Sequence, residues 1–284
     1  MNRRKIIIFF VFGLFLNYLF YSQDYTFFKH LSTVNIDYKT GDTLFSAYDP
    51  YHLEKIDVVK NMKIKIWRSK DDFQYVERSY SLGKIIRQYN KANEITDFQF
   101  VYNDLGYLVE GINQKRVYSS KNECIVYKND KPEKRIKLTE DINNISVVIE
   151  KYYPDKNYYL SNSYTYFYED KNLKKLDFIT YNKKGDITSI WNADFEYKNQ
   201  FLKRQLIKIK NQKRWEYIYF YNDNKLSRID VIDYLNSSQN KIILFKNYDL
   251  NGNWLISEEY QDNSLCCEIK REIDYQNVSF NSTN

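Results

Sequence analysis

Alanine is almost missing from this chain: three residues, Ala47, Ala92 and Ala193, in 284. Alanine is the strongest helix former, and no segment carries a sustained apolar stripe at helical spacing, so a helix-rich fold is disfavoured. Only Pro50 to Val59 has the look of a short helical turn. Seven glycines leave no Gly-dense phosphate loop, two histidines no multi-His metal site, and three cysteines no Cys-rich scaffold. There is no Gly-x-Ser-x-Gly elbow, no His-Glu-x-x-His and no P-loop. His30 and His52 are the only imidazoles, and their settings read as ordinary surface positions. A glycosidase needs just two carboxylates, but among 37 acidic residues no pair stands out. Asp104, Asp170, Asp223 and Asp249 read as turn formers, because the dense Asp-x-Asp-x-Asp loop that calcium prefers is missing. The expectation is a non-enzymatic protein with no metal and no cofactor.

What the chain does have in quantity is aromatic: 29 tyrosines and 18 phenylalanines, residues suited to a pleated, half-buried strand. Segments such as Arg214-Trp215-Glu216-Tyr217-Ile218-Tyr219-Phe220-Tyr221 alternate in the manner of strands. At about 13 residues per strand and turn, roughly 18 to 20 short strands are expected.

The first 22 residues differ from the rest. Arg3, Arg4 and Lys5 precede an apolar run from Ile6 to Tyr21, and Ser22, Gln23 and Asp24 follow. The run is shorter than the roughly 20 residues a span needs, and its layout is that of a secretory signal peptide over 1–22. An uncleaved amino-terminal anchor is the other reading. No cysteine lies near the junction for acylation. Cleavage would leave an exported chain with no stable membrane span, destined for the periplasm, cell surface or medium.

Removing Arg3, Arg4 and Lys5 takes the net charge from +6 to +3, with acids and bases interspersed, as in Glu133-Lys134-Arg135. No phosphate-neutralising patch results, so a nucleic-acid partner is not expected. The most basic stretch, Lys203 to Arg214, is followed by Trp215, Tyr217 and Tyr219. It reads either as a solvated strand face guarded by lysines or as a contact for an acidic glycan. Export would permit disulfides. Cys266 and Cys267 are strand neighbours pointing to opposite faces, so Cys124 could pair with Cys266 or Cys267, or all three could stay thiols.

Three segments share a tyrosine, an Asn or Asp, two free positions and a glycine: Tyr102 to Gly106, Tyr181 to Gly185 and Tyr248 to Gly252. Two residues past each glycine stands an apolar residue, Leu108, Ile187 or Trp254. The pattern predicts a strand ending at the tyrosine, an Asx turn, a glycine at positive φ, and a returning strand. A shift of 79 residues superposes Tyr102 on Tyr181, Gly106 on Gly185 and Tyr118 on Tyr197. Tyr168 to Leu173 and Tyr221 to Leu226 read as variants in which Asn takes the left-handed position. The organisation expected is a signal at 1–22, a diverged amino-terminal β cap region at 23–88, and β-hairpin repeats over 89–284, forming one continuous antiparallel sheet, curved or partly rolled.

The run Asn247 to Trp254, then Glu259-Tyr260 and Lys270-Arg271-Glu272-Ile273-Asp274-Tyr275, resembles the tyrosine–aspartate (YD) or RHS-like repeats of secreted envelope proteins, especially those of the Bacteroidota. The resemblance covers about residues 89 to 275 and is best after Tyr164. It implies a hairpin added to a continuous sheet by each repeat, which large RHS members curl into a shell around a toxin domain. This chain is short for such a shell, has few full units and shows no separate catalytic domain after them, so toxin delivery is not implied.

The functional expectation is an exported scaffold or binding module of the cell envelope or surface. Its partner would be an envelope protein or polysaccharide, met through an aromatic platform of Trp191, Trp215, Trp254, Tyr217 and Tyr219. The residues Tyr102, Gly106, Tyr181, Gly185, Tyr248 and Gly252 are assigned to turns. A periplasmic carrier of a lipid or other apolar ligand is the alternative, and a polysaccharide hydrolase ranks behind it.

Overall fold

Period-two alternation runs through the chain and sets the fold. In the computed structural model, residues 58–276 are described, apart from 69–72, 83, 92–94, 105–107, 112–113, 121, 155–156, 170–171 and 200. The signal segment, His30, His52, most of Pro50 to Val59 and Gly106 lie outside the described residues.

Nineteen strands form one antiparallel sheet. They are β1 (Val59–Trp67), β2 (Phe73–Ser81), β3 (Lys84–Lys91), β4 (Ile95–Gln99), β5 (Val101–Tyr102) and β6 (Leu108–Gly111). Next come β7 (Gln114–Ser120), β8 (Glu123–Lys128), β9 (Lys131–Glu140), β10 (Asn144–Tyr153), β11 (Asn157–Glu169), β12 (Asn172–Tyr181) and β13 (Ile187–Lys198). The last are β14 (Phe201–Ile209), β15 (Gln212–Asn222), β16 (Lys225–Asp233), β17 (Lys241–Tyr248), β18 (Trp254–Gln261) and β19 (Ser264–Tyr275). Among the described residues there is no α-helix; a 3₁₀ turn lies at Ser237–Gln239. The chain divides into two compact units, residues 1–49 with 101–109 and residues 50–100 with 110–284. Of the first, the described part is β5, Asn103, Asp104 and the start of β6. The second carries the ladders.

Within that second unit each strand from β6 to β19 pairs with the next in sequence. β19 then pairs with β1, which continues through β2 and β3 to β4. Thus β1, β2 and the first half of β3, which fall in the residues 23–88 read as a cap region, continue the sheet between β19 and β4. The ends of the series also meet. Phe100, just after β4, lies so close to Gly111 on β6 that a Cβ there would stand 2.6 Å from the Phe100 ring. The sheet is therefore nearly closed into a barrel, further than the rolling expected from sequence.

The two faces differ in character, although Arg78, Gln88, Gln205 and Arg271 interrupt the buried one. In β1, Met62, Ile64 and Ile66 are buried while Lys63 and Lys65 between them are half-buried. The buried face continues through Val76, Ile136, Val147, Tyr164, Leu176, Ala193, Ile207, Ile229, Phe245 and Ile269. On the opposite face ion pairs cross the ladders: Lys65 with Glu272 at 2.9 Å, Arg87 with Asp97 at 2.6 Å, Arg135 with Glu150 at 2.5 Å, Lys208 with Asp194 at 2.5 Å and Lys246 with Glu258 at 2.7 Å. Exposed pairs of this kind contribute little each to stability, but they keep that face wet.

The turns show why so little glycine suffices. Asn129-Asp130, Lys210-Asn211, Asp223-Asn224 and Asp262-Asn263 all hold φ between 48° and 65°, as two-residue hairpin turns of the I′ kind. Asn and Asp tolerate the left-handed region that glycine would otherwise fill. Glycine is kept for the longer turn. Gly185 (φ 90°) and Gly252 (φ 86°) close two turns with the same bonds: the Asn182 or Asp249 side chain accepts from the backbone N–H groups two and four residues on. In all three predicted units a strand ends at the tyrosine (Tyr102, Tyr181, Tyr248) and the next begins at Leu108, Ile187 or Trp254.

A second tyrosine device recurs at the two-residue turns. The ladder slips at Tyr80, Tyr127, Tyr168, Tyr197, Tyr221 and Tyr260, each paired with the residue five positions on, which is Ile85, Pro132, Leu173, Leu202, Leu226 and Leu265. Tyr221 donates its hydroxyl to the Leu202 carbonyl at 3.1 Å, and Tyr248 donates to the Leu226 carbonyl, so one hairpin is tied to the leucine of the hairpin before it. Burial pushes the Tyr221 and Tyr248 phenols up to about 12, which keeps them protonated donors.

Candidate functional site

The sequence places Trp191 on β13 and Trp215 on β15, and register does the rest. Trp191 lies opposite Ile209 and Trp215 opposite Ile207, both on β14, so the indoles stand on one face, one strand apart and two residues offset. Their ring centroids are 5.7 Å apart at 32°. Phe178 is the ladder neighbour of Trp191 on the other side and stacks on Tyr164 at 4.6 Å and 20°. An aromatic stripe thus crosses β11 to β15.

Polar groups fix the stripe. Trp191 Nε1 donates to Ser189 Oγ at 2.6 Å, and Trp215 Nε1 donates to Asp233 Oδ2 at 3.2 Å. Asp233 has a buried side chain, accepts from the backbone N–H of Leu235 and Asn236, and pairs with Arg214 at 3.0 Å. The Arg214 guanidinium in turn lies 4.5 Å from the Trp215 ring centre. Both indoles are half-buried. The pair stands on the same face as Ala193 and Ile207, at a part of that face left half-open, and preoriented rings with their N–H groups already engaged present there a flat apolar area against which a sugar ring or another aromatic can pack.

Of the other platform candidates, Tyr217 and Tyr219 follow Trp215 on the same face of β15, and Trp254 lies apart on β18. Tyr217 is half-buried beside Gln205 and Val231. Tyr219 is 1 % exposed and donates to Gln205 Oε1 at 3.1 Å. Trp254 is 6 % exposed, packed on Phe245 at 5.5 Å, with the Arg271 guanidinium 3.6 Å from its ring centre and bonded to its carbonyl. The structure therefore gathers Trp191 with Trp215 and adds Ser189, Asp233 and Arg214. Of these three, only Arg214 carried a signal, as the end of the basic run before Trp215.

The three cysteines are free thiols. Cys124 sits on β8, far along the ladder from Cys266 and Cys267 on β19, so the bridge left open from sequence does not form. Burial pushes Cys124 and Cys267 up to about 11, the range of inert structural thiols.

Among the described residues the acids with displaced pKa values are displaced downward. Hydrogen bonds from Arg87 to Asp97, from Lys246 to Glu258 and from Lys65 to Glu272 hold those carboxyls low. At Glu216 burial acts upward but is outweighed by Tyr234 and Arg204; at Asp249 it is outweighed by Tyr275 and the turn N–H groups. A glycosidase acid needs the opposite displacement. Among the described residues no group of three or more His, Cys, Asp or Glu is gathered as metal ligands, and no helix is long and apolar enough to cross a membrane.

No protein-family model and no curated protein matches the sequence. Solved structures similar in fold include a porin-like protein from Bacteroides uniformis (10% identity, covering 76% of this chain and 98% of that one, TM-score 0.37). A porin-like protein from Bacteroides vulgatus shares 7% identity over 78% of this chain and 100% of its own, at a TM-score of 0.35. A Bacteroides fragilis protein of unknown function shares 11% identity over 67% and 92%, at 0.20. At these values the likeness is coarse and one of fold. The resemblance to YD/RHS-like repeats has no counterpart among these matches. Chemically, the faces are arranged opposite to a transmembrane barrel, which is apolar toward lipid and polar within. Here the solvent face carries the ion pairs and the covered face carries Ile, Val, Leu and aromatic residues.

Proposed function

We propose that the protein is an exported, non-enzymatic module of the cell envelope or surface that binds envelope polysaccharide through Trp191 and Trp215. The observation that carries this reading is the indole pair at 5.7 Å, half-buried and braced by Ser189, Asp233 and Arg214. The amino-terminal signal character supports export. The scarcity of catalytic motifs and the lowered carboxyls support a role in binding rather than turnover. Titrating envelope and extracellular polysaccharides against tryptophan fluorescence tests it: saturable binding is expected to weaken at least tenfold in Trp191→Ala and Trp215→Ala. Binding that is absent, or unchanged in both variants, sinks it.

A carrier of an apolar ligand is the second reading, favoured by the apolar run across neighbouring strands of the buried face from Val147 through Tyr164, Leu176 and Ala193 to Ile207. Native mass spectrometry of chain purified from its envelope would then show a bound apolar adduct that organic extraction removes.

A further inference from the structure

The indole pair follows directly on two basic hairpin tips. The turn between β12 and β13 holds Lys183 and Lys184, and Trp191 comes next on β13. The turn between β14 and β15 holds Lys210, with Lys213 and Arg214 at the start of β15 ahead of Trp215. The backbone N–H of Lys210 donates to the Ile190 carbonyl at 3.0 Å, so the second tip lies against β13 one residue from Trp191. Two carboxylates accompany these five cations, and both are already engaged. Asp186 accepts from Asn182 Nδ2 at 3.0 Å, and Asp233 from Arg214, Trp215 and two backbone N–H groups. Lys183 lies over the Tyr153 ring, and Lys213 stands 5.1 Å from the centre of the Tyr234 ring. Lys184 and Lys210 are exposed, and among the described residues no carboxylate pairs with either. At the tips on the other end of these strands Glu169 and Asp223 offset Lys198 and Lys225, so the excess belongs to the end that holds the indoles. Lysine on a strand often guards an unpaired edge, but β12 to β15 are each paired on both sides and have no edge to guard.

We propose that the polysaccharide taken by the indole pair is acidic, its uronic-acid carboxylates held by Lys184, Lys210 and Lys213 while a sugar ring packs on Trp191 and Trp215. This deepens the indole reading above and rests on it. Cations of one sign grouped beside an apolar floor raise the local concentration of an anionic polymer, an attraction that salt screens. A neutral polymer gains the ring contact alone.

The test is tryptophan fluorescence titration with polygalacturonate, alginate and hyaluronate, each beside its methyl-esterified form, so that charge alone separates the members of a pair. At least one free acid should bind about tenfold tighter than its ester and lose that margin in high salt. The triple variant Lys184→Gln, Lys210→Gln, Lys213→Gln should lose the margin too, and arginine at the same three positions should restore it. Trp191→Ala should weaken acid and ester alike. Equal affinity for acid and ester, or a margin unchanged in the triple variant, would overturn the charge selection and leave the indole reading standing. Binding of none of the six polymers would overturn both, and capture by phosphatidylglycerol vesicles in that case would give the tips to an anionic lipid surface instead.

Discussion

At the scale of single residues, Glu216 is the most informative charge. It lies on the solvent side of β15 yet is itself buried, accepting from Arg204 and from the Tyr234 hydroxyl, while Arg204 also reaches Glu196 at 2.7 Å. These bonds outweigh burial and hold its carboxyl below the ordinary range. A lowered carboxyl contributes stability that is present above its unfolded value and lost as pH falls through its folded one. Glu216→Gln should therefore cost about 1–3 kcal/mol at neutral pH, with the two chains converging in acid. Urea unfolding at pH 7 and pH 3 measures it; an equal gap at both values would show that the charge contributes nothing. The residue-scale chemistry was only partly readable in sequence. Trp191 and Trp215 stood out as large aromatics, but their meeting depends on the register of β14, and Asp233 reaches the pair from β16.

Among elements, the hairpin is the unit. Asn224 holds φ at 62°, where an ordinary side chain costs roughly 1–2 kcal/mol. Asn224→Ala should destabilise by about 1 kcal/mol, while Asn224→Gly should be close to neutral; equilibrium denaturation of the two variants reads the difference, and equal losses would mean that the backbone angle is not the cause. The longer turns at Gly185 and Gly252 were legible because their Asx bonds and positive φ need adjacent residues only. The bulged tyrosine paired with the residue five positions on is readable in sequence at Tyr168 and Tyr221 but not at Tyr80, Tyr127, Tyr197 and Tyr260. There the intervening turn residues vary, and the constant feature is a ladder slip that no local composition announces.

For the whole molecule, the sequence carries the strand content but not the closure. Hairpins announce themselves within a dozen residues, whereas β1 finds β19 through contacts such as Lys65 with Glu272, 207 residues apart. Ending the chain after Asn263 would remove β19 and bare the edges of β1 and β18. The shortened chain should lose cooperative thermal unfolding and elute as aggregate on size exclusion; a monomer with the parent's melting curve would show that the β1–β19 ladder adds nothing. The same ladder has a consequence in time. During synthesis β1 exists long before its partner, and for that interval Val59, Met62, Ile64 and Ile66 sit on an unpaired edge able to recruit a neighbouring nascent chain. Lys60, Lys63 and Lys65, set between them, act as gatekeepers in that interval, their charges repelling a second copy until the last strand arrives.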